Sequence, residues 1–264
     1  MGIAVVILAA GKGMRMNSDL PKVLHPIAQV PMLAHAIKSA QATTPDHIVV
    51  VAGHGAEAVR KATADYAPDA QVVLQKEPLG TGHAVGQAKA VLGDYDGDIL
   101  VLYGDTPFIS DQTIAEIATA RATADLVVLG FHAADPGRYG RLVTDGDALE
   151  KIVEYKDASD DERAISLCNS GVMAARAADI FEWIDAIGNE NASDEYYLTD
   201  CVEIARARGK TARCVICDET ETLGVNSRAQ LAEAEAAFQM RARADAMENC
   251  VTLIAPDTVH FAYD

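Results

Sequence analysis

The sequence predicts an α/β fold in which a mostly parallel sheet is covered by helices on both faces, and two observations support this prediction. Apolar runs that are typical of buried strands alternate along the chain with alanine-rich segments at helical spacing. The runs are continuous, with no regular insertion of polar residues, which is typical of strands buried on both faces. Half of the 264 residues are hydrophobic, so the chain can bury a sizeable core.

The predicted elements follow one another in regular order. Strands are predicted at residues 3–8, 48–51, 72–74, 99–103, 126–131 and 215–216. Helices are predicted at residues 32–40, 56–64, 84–92, 113–122 and 177–187. In the middle third, short strands are predicted around residues 142–144 and 148–153, another begins at Asn169, and a helix opens near Tyr196. Because ligands of such folds bind at the carboxyl ends of strands, we expect functional residues in the loops that follow them.

The last part of the chain is predicted to be one long helix followed by a short tail. Ser227 can cap a helix over residues 228–248, whose thin apolar stripe is typical of an arm packed along one face. The tail is apolar and rich in turn residues, like the first coil of a solenoid, and a single coil cannot bury its own face. We predict a main domain at 1–226, a linker helix at 227–249 and the start of a truncated solenoid at 250–264.

A glycine-rich loop with two cations follows the first predicted strand. It reads Leu8-Ala9-Ala10-Gly11-Lys12-Gly13-Met14-Arg15-Met16 and is followed by Pro21-Lys22. Glycines allow backbone N–H groups to approach an anion, while Arg15 supplies a planar fork and Lys22 a mobile ammonium. The spacing fits neither the dinucleotide fingerprint nor the P-loop. We predict that this loop holds a nucleoside triphosphate; the alternative is an ordinary glycine turn.

A second informative segment runs from Gln75 to Ala84. Gln75 ends a predicted strand, and its amide offers a donor and an acceptor in one plane, which suits the edge of a uracil ring. Gly80 lets backbone groups reach a base, and Thr81 can cap the following helix. His83 has no evident base partner, so we interpret it as a turn or helix-surface histidine.

A carboxylate follows the apolar strand at residues 99–103. Asp105 there could be a simple turn residue. However, the end of this strand should face the phosphate loop, and a carboxylate beside a triphosphate would repel it unless a cation lay between them. We therefore predict that Asp105 is a Mg²⁺ ligand, because Mg²⁺ is often held by one or two carboxylates plus substrate phosphates.

Several polar residues at the ends of later elements are further candidates. Glu154, Asn169 and Thr199 occupy such positions, which commonly carry recognition, although each alone is more typical of a solvated surface residue. Asn226 lies just outside the predicted long helix. We keep these four residues as candidate ligand contacts.

Charge and composition limit the partners of the chain. The net charge of −17 argues against nucleic acid as a partner. No apolar run approaches ~18 residues, so we expect no membrane span. The N-terminus lacks the basic region of a signal peptide, and we expect a cytoplasmic location.

The five cysteines do not suggest a disulfide framework, because their number is odd. Cys214 and Cys217 form one C-x-x-C pair inside a predicted strand. A zinc site would need two more ligands at suitable spacing, and none is evident. Small buried thiols are the favoured interpretation.

Taken together, the segments resemble the sugar-phosphate nucleotidyltransferases, and most closely the N-terminal uridylyltransferase domain of the bacterial bifunctional enzymes that make UDP-N-acetylglucosamine. The similarity covers almost the whole chain. It is carried by Leu8-Ala9-Ala10-Gly11, Arg15, Lys22, Val51-Ala52-Gly53-His54-Gly55, Leu79-Gly80-Thr81-Gly82-His83-Ala84, Tyr103-Gly104-Asp105, Tyr139-Gly140-Arg141, Glu154, Asn169-Ser170-Gly171, Glu195-Tyr196-Tyr197-Leu198-Thr199-Asp200 and Gly224-Val225-Asn226. The resemblance implies a Rossmann-like, glycosyltransferase-A-like nucleotidyltransferase fold.

The resemblance also implies a role for each candidate residue. Uridine would be held by Leu8, Ala9, Ala10, Gly11, Gln75, Gly80 and Thr81. The triphosphate would be held by Arg15 and Lys22, which with Asp105 are the candidate catalytic residues. The amino sugar would be held by Gly140, Glu154, Asn169 and Thr199. The metal would be held by Asp105 and Asn226, and Tyr103 and Gly104 are further candidate substrate contacts.

The implied reaction joins UTP and N-acetylglucosamine-1-phosphate into UDP-N-acetylglucosamine, a cell-wall precursor, with release of pyrophosphate. The sugar phosphate is itself a nucleophile, so Mg²⁺-dependent direct attack needs no general base. Ser170 stands where the family commonly has threonine. The family's tail continues into a left-handed β-helix that transfers acetyl groups and forms trimers, so we expect no acetyl transfer and a monomer here. Two alternatives are a related sugar-1-phosphate nucleotidyltransferase with another sugar or base, and a nucleotide-sensing protein without activity.

Overall fold

A computed structural model describes residues 2–263 and consists of a large mixed sheet between helices. The strands are β1 (Ile3–Ala9), β2 (Pro26–Ile27), β3 (Val30–Pro31), β4 (His47–Ala52), β5 (Gln71–Leu74), β6 (Asp98–Tyr103), β7 (Leu126–His132), β8 (Arg141–Asp145), β9 (Ala148–Val153), β10 (Leu167–Arg176) and β11 (Ala212–Cys217). The α-helices are α1 (Met32–Gln41), α2 (Ala56–Tyr66), α3 (Thr81–Gly86), α4 (Lys89–Leu92), α5 (Asp111–Arg121), α6 (Asp160–Arg163), α7 (Ala177–Ile184), α8 (Cys201–Ala207) and α9 (Arg228–Glu248). Short 3₁₀ turns lie at Met14–Met16, Lys22–Leu24, Leu198–Asp200, Glu219–Thr222 and Pro256–Thr258.

The main sheet has the strand order β5-β4-β1-β6-β10-β7-β11-β9-β8, and its first four strands are parallel. The α/β class and the mostly parallel sheet are thus confirmed. In the second half, β10 lies antiparallel between β6 and β7, and β8 and β9 form an antiparallel pair. A buried apolar run looks the same in either direction, so the pattern of residues could not indicate the reversal of β10.

Both faces of the central strands of the sheet are buried, as the continuous apolar runs predict. Along β1, Val6 and Leu8 pack into one apolar cluster, while Val5 and Ile7 pack into a second cluster on the other face. These alternate because successive side chains of a strand point to opposite faces. The carboxyl ends of the parallel strands are therefore fixed on a rigid core.

The helix predicted at residues 84–92 is in fact two short helices. α3 begins at Thr81 and ends at Gly86, and α4 follows from Lys89. A glycine inside a helix is unfavourable because it loses more conformational freedom than other residues, and Gly86 marks the end of α3.

Two other boundaries differ from the prediction in the segments nearest the candidate residues. β10 begins at Leu167, before Asn169, and its register with β7 shifts between Asn169 and Met173. No helix opens at Tyr196, because its backbone N–H donates to Leu79 O at 2.8 Å and its carbonyl accepts from Gly82 at 2.8 Å. α8 begins only at Cys201, after a 3₁₀ turn.

The predicted long helix is α9, and Ser227 caps it by accepting from the N–H of Gln230. The tail folds back along this helix: Gln239 Nε2 donates to Phe261 O at 2.7 Å, and Phe261 N–H donates to Gln239 Oε1 at 2.7 Å. Between Asn249 and residue 263 the described chain forms a 3₁₀ turn and no strand. The solenoid coil therefore stays a prediction.

One further property follows from the helix lengths and compositions. Within residues 2–263, no helix is both long enough and apolar enough to span a membrane.

Candidate active site

A pocket of about 270 Å³ opens at the carboxyl ends of β1, β5 and β6. It is lined by Leu8, Ala10, Gly11, Lys12, Lys22, Val23, Gln75, Pro78, Gly80, Thr81, Ala84, Tyr103, Asp105 and Glu195. The structure thus places four segments that are far apart in sequence around one cavity: residues 8–23, 75–84 and 103–105, and Glu195. This is the edge of the sheet at which the strand order predicts a ligand site.

Gln75 and Gly80 meet at one end of this pocket. The backbone N–H of Gln75 continues the sheet by donating to Ala52 O at 2.8 Å, and its side chain is buried. Its Nε2 donates to Gly80 O at 3.1 Å. Gly80 has φ +113°, and a Cβ there would lie 2.5 Å from Tyr196 O, so only glycine fits this turn. The amide of Gln75 is held at the pocket wall by the turn itself.

Thr81 does not cap α3, and this part of the sequence interpretation is wrong. The N-cap residue is Gly80, and no side chain caps the helix. Thr81 lies one residue later, inside the first turn, and its Oγ1 accepts from the N–H of Leu198 at 3.0 Å. It therefore ties the start of α3 to the segment that precedes α8.

The glycine-rich loop after β1 lies close to Lys22. Gly13 has φ +61°, and a Cβ there would lie 2.6 Å from Lys22 Cβ, so the close approach of loop and lysine needs a glycine. Gly11 has open space around the position of a Cβ and is exposed. Arg15 lies exposed on the 3₁₀ turn Met14–Met16. The start of the loop is held by Gly104, whose N–H donates to Leu8 O at 2.9 Å.

Lys22, Asp105 and Asn226 converge on one point although they are far apart in sequence. Lys22 Nζ forms an ion pair with Asp105 and donates to Asn226 Oδ1 at 2.9 Å. The Lys22 and Asp105 side chains are only 12% and 17% exposed. The backbone explains the convergence, because Val225 N–H donates to Asp105 O at 3.0 Å. Two oxygens, one from a carboxylate and one from an amide, therefore face the same position.

This oxygen pair has the chemistry of a magnesium site. Mg²⁺ prefers oxygen ligands and usually keeps several waters, so that the protein supplies only one or two carboxylates. Asp105 and Asn226 already direct their oxygens at a cation, the ammonium of Lys22. Within the part of the chain that the structure describes, no three His, Cys, Asp or Glu side chains cluster as a metal site, so further ligands would come from substrate and water.

The candidate sugar-binding residues form a second cluster. Asn169 N–H donates to Gly140 O at 2.9 Å, and a Cβ on Gly140 would lie 3.5 Å from the carboxylate oxygens of Glu154. The hydroxyl of Thr199 donates to Glu154 Oε1 at 3.3 Å. Burial raises the pKa of Glu154, the Thr199 bond opposes the shift, and nearby carboxylates add to it. All four predicted residues are thus brought together.

Tyr103 lies between the two clusters. Gly171, at φ +92°, lets the chain pass the tyrosine ring, since a Cβ there would lie 2.6 Å from the ring. Burial raises the pKa of Tyr103, and Glu154 and Asp105 add to the shift, while a hydrogen bond with Thr81 opposes it. Tyr103 therefore lies close enough to interact with the charges of both carboxylates, one from each cluster.

Two residues near the site were not identified as contributors from the sequence. His83 is half-buried, and its Nδ1 lies 3.1 Å from Gln75 Nε2, so it is not the surface histidine that we expected. Gln230 Oε1 accepts from the N–H of Asn226 at 2.9 Å. Neither contact could be predicted from the spacing of residues in the sequence, because each depends on how a turn brings two elements together.

The comparisons with known proteins agree with this architecture. A family described as MobA-like NTP transferase domain matches residues 5–172. Over its full 264 residues the chain is 62% identical to the bifunctional protein GlmU of a Ruegeria species, and it is 60% identical over 264 residues to that of Roseobacter denitrificans. The chain spans 59% of the length of these two relatives.

Solved structures show the same fold at low sequence identity. UDP-glucose pyrophosphorylase complexed with UDP-glucose superimposes with a TM-score of 0.71 at 19% identity, over 91% of this chain and 100% of that one. A putative glucose-1-phosphate thymidylyltransferase from Bacillus anthracis gives a TM-score of 0.71 at 19% identity, over 89% and 94% of the two chains. The nucleotidyltransferase fold and the resemblance inferred from the motifs are therefore confirmed, and the chain belongs to the family of MobA-like NTP transferase domains.

Proposed function

We propose that this chain transfers a uridylyl group from UTP to N-acetylglucosamine-1-phosphate and releases pyrophosphate. The observation that carries the proposal is the convergence of Lys22, Asp105 and Asn226, of which Lys22 and Asp105 line the 270 Å³ pocket. Lys22 and Asp105 line the same pocket as Gln75 and Tyr103, and Tyr103 also lies close enough to Glu154 to interact with its charge. The identity with GlmU proteins over the whole chain supports the same reaction.

The base end of the pocket suits a uracil. Gln75 presents a planar amide at the wall, and Gly80 leaves room for close approach of the backbone. Uracil offers an N–H donor between two carbonyl acceptors, so an amide can pair with its edge. Leu8, Ala9, Ala10 and Gly11 would cover the ribose and the ring from the side of β1.

The triphosphate would lie over the glycine-rich loop. Arg15 is exposed on that loop and free to swing onto phosphate oxygens, and Lys22 supplies a second positive charge. Asp105 and Asn226 would hold Mg²⁺, which supplies charge neutralisation to the phosphates when it is bound. With a cation held there, the ammonium of Lys22 would be available to the phosphates. Arg15 and Lys22 would thus place two positive charges beside the phosphates, in a chain whose net charge is −17.

The sugar phosphate would lie on the Gly140, Glu154, Asn169 and Thr199 cluster. Asn169 uses its Oδ1 to accept from Gly171 N–H at 2.9 Å, which leaves its Nδ2 as a donor for a sugar or acetamido oxygen. The carboxylate of Glu154 accepts from hydroxyl groups. The absence of a side chain at Gly140 leaves space above Glu154.

In the reaction, an oxygen of the sugar phosphate attacks the α-phosphorus of UTP. The new P–O bond forms as the bond to the β-phosphate oxygen breaks, and the electron pair leaves with pyrophosphate. The nucleophile is already an anion, so no proton has to be removed. The chain's residues act by holding the two substrates in line and by neutralising charge on the phosphates.

The test is a pyrophosphate-release assay with this chain, UTP, N-acetylglucosamine-1-phosphate and Mg²⁺. We expect UTP with the N-acetylated sugar phosphate to give the highest kcat/KM in a panel of four nucleotides and three sugar phosphates. A different best pair would indicate a related nucleotidyltransferase. Nucleotide binding without pyrophosphate release for any pair would indicate a sensing protein and would refute the proposal.

A further inference from the structure

His83 is held directly behind the amide that forms the base end of the pocket. It lies in α3, two residues after Thr81, and its ring is half-buried. Its Nδ1 lies 3.1 Å from Nε2 of Gln75, which also lies 3.1 Å from Gly80 O. The amide nitrogen of Gln75 therefore has two partners inside the protein, one on each side.

These two partners determine which way the amide points. A carbonyl oxygen can only accept, so the amide atom beside Gly80 O must be the nitrogen. One N–H of Gln75 is then used by Gly80, and the other points at Nδ1 of His83, which can accept it. Oε1 is the atom of the amide that remains for a ligand. Gly80 and His83 together thus present a hydrogen-bond acceptor to the pocket.

The tautomer of His83 follows from the same reasoning. An accepting Nδ1 requires the proton on Nε2 in the neutral ring. Gln87 lies beside Nε2, but its own Nε2 donates to the backbone carbonyl of His83 at 3.0 Å, which fixes its amide nitrogen there. The amide nitrogen of Gln87 lies 3.2 Å from Nε2 of His83, and the neutral ring can accept at only one of its two nitrogens. We assign the accepting role to Nδ1, because Gln75 is buried and an unpaired N–H costs more there than on the half-buried Gln87.

We propose that His83 is a positioning residue that selects uracil over cytosine by fixing the amide of Gln75. N3 of uracil carries a proton, so it can donate to a fixed Oε1. N3 of cytosine is an acceptor and would face that same oxygen, with no proton between them. If the amide were free to turn over, it would present its nitrogen to cytosine and lose much of this discrimination. This inference rests on the proposed function, because it concerns the same nucleotide.

The test compares UTP and CTP for variants at residue 83. His83→Leu keeps volume but removes the acceptor, and we expect the ratio of kcat/KM for UTP over CTP to fall about five-fold, the loss typical of one neutral hydrogen bond. The KM for the sugar phosphate should not change. His83→Asn places Oδ1 near the former position of Nδ1, so it should restore most of the ratio.

Matched variants separate positioning from packing. His83→Gln has its polar atoms one bond further out and should behave like His83→Leu. His47→Ala, at the opposite end of the sheet on β4, should leave the ratio unchanged. Should His83→Leu fail to fold by circular dichroism, the comparison of His83→Gln with His83→Asn carries the same test.

Each result has a distinct meaning. A wild-type chain that does not prefer UTP would refute the proposed function itself. A selective wild type whose ratio is unchanged in His83→Leu or His83→Gln would overturn the inference about His83. An equal fall in His83→Asn and His83→Gln would also overturn it, because a packing role would not distinguish the two variants.

Discussion

Substitution of Asp105 by asparagine tests the centre of the candidate site with little change of shape. The variant keeps an oxygen at the same place but removes the single carboxylate of the oxygen pair that faces Lys22. The electrostatic stabilisation that a metal ion gives to phosphate oxygens amounts to several kcal/mol. Loss of about 3–5 kcal/mol corresponds to a fall of roughly 10²- to 10⁴-fold in kcat/KM.

The fold should tolerate the change. The side chains of Lys22 and Asp105 are 12% and 17% exposed, so this ion pair is neither fully exposed nor fully buried. An exposed ion pair stabilises a protein by about 0–1 kcal/mol, whereas breaking a fully buried one costs about 3–5 kcal/mol. Asn226 Oδ1 still accepts from Lys22 at 2.9 Å, so the ammonium keeps a partner. We expect the free energy of unfolding to fall by only about 1–2 kcal/mol.

The assay is pyrophosphate release at increasing Mg²⁺, with urea unfolding of the same preparations. Asp105→Asn should need more Mg²⁺ for half-maximal rate as well as giving a lower maximal rate. Asp69→Asn, at an exposed turn, is the control and should match the wild type in both. A folded Asp105→Asn variant with near-normal turnover, or a wild type that works in excess EDTA, would refute the reasoning.

The remaining predictions concern the base, the turn, the sugar and pH. Gln75→Ala should lower kcat/KM for UTP by about 1–3 kcal/mol and reduce selectivity over CTP, measured by initial rates. Gly80→Ala should lower the free energy of unfolding by about 1–3 kcal/mol in urea, whereas Gly188→Ala, with open space around its Cβ, should not. Glucosamine-1-phosphate should be used less well than the N-acetylated sugar phosphate, and Asn169→Ala should reduce this difference. Burial raises the pKa of Asp200 to about 6 from 3.8, with Glu203 and Asp157 adding to the shift. The folded state is therefore penalised above pH 6, and the penalty disappears as the pH falls below about 4. Asp200→Asn should raise the free energy of unfolding at pH 7.5 by no more than about 1 kcal/mol, since the side chain is partly exposed, and should have no such effect at pH 3.5.

The sequence predicted the parts of the site that lie directly after strands. The loop after β1, Gln75 after β5 and Asp105 after β6 could be found because parallel strands bring their carboxyl ends to one edge. The apolar runs indicated those strands to within a few residues. The antiparallel placement of β10 could not be found in the same way, since its direction depends on packing between distant elements.

The sequence pattern could not predict side-chain contacts that form across turns. His83 reaches Gln75 only because Pro78 and Gly80 reverse the chain between them, and a single histidine at the start of a helix carries no sign of such a partner. Thr81 was expected to cap α3, but the Gly80 turn takes the N-cap position. The metal-binding role of Asn226 was predicted only from the resemblance to the family. Lys22 and Asn226 are too far apart in the sequence for their contact to be predicted from local sequence patterns.

The first turn of α9 takes part in building the site. Gln230 Oε1 accepts from the N–H of Asn226 at 2.9 Å, and Arg228 Nε donates to Met16 O, in the phosphate loop, at 3.1 Å. One helix end thus fixes both the amide that faces Lys22 and the loop that carries Arg15. The boundary expected between residues 226 and 227 stays a prediction, but a chain cut there would lose both contacts. Each of these hydrogen bonds joins the first turn of α9 to one of the two segments, so each segment would lose one constraint, although Asn226 would keep its hydrogen bond with Lys22.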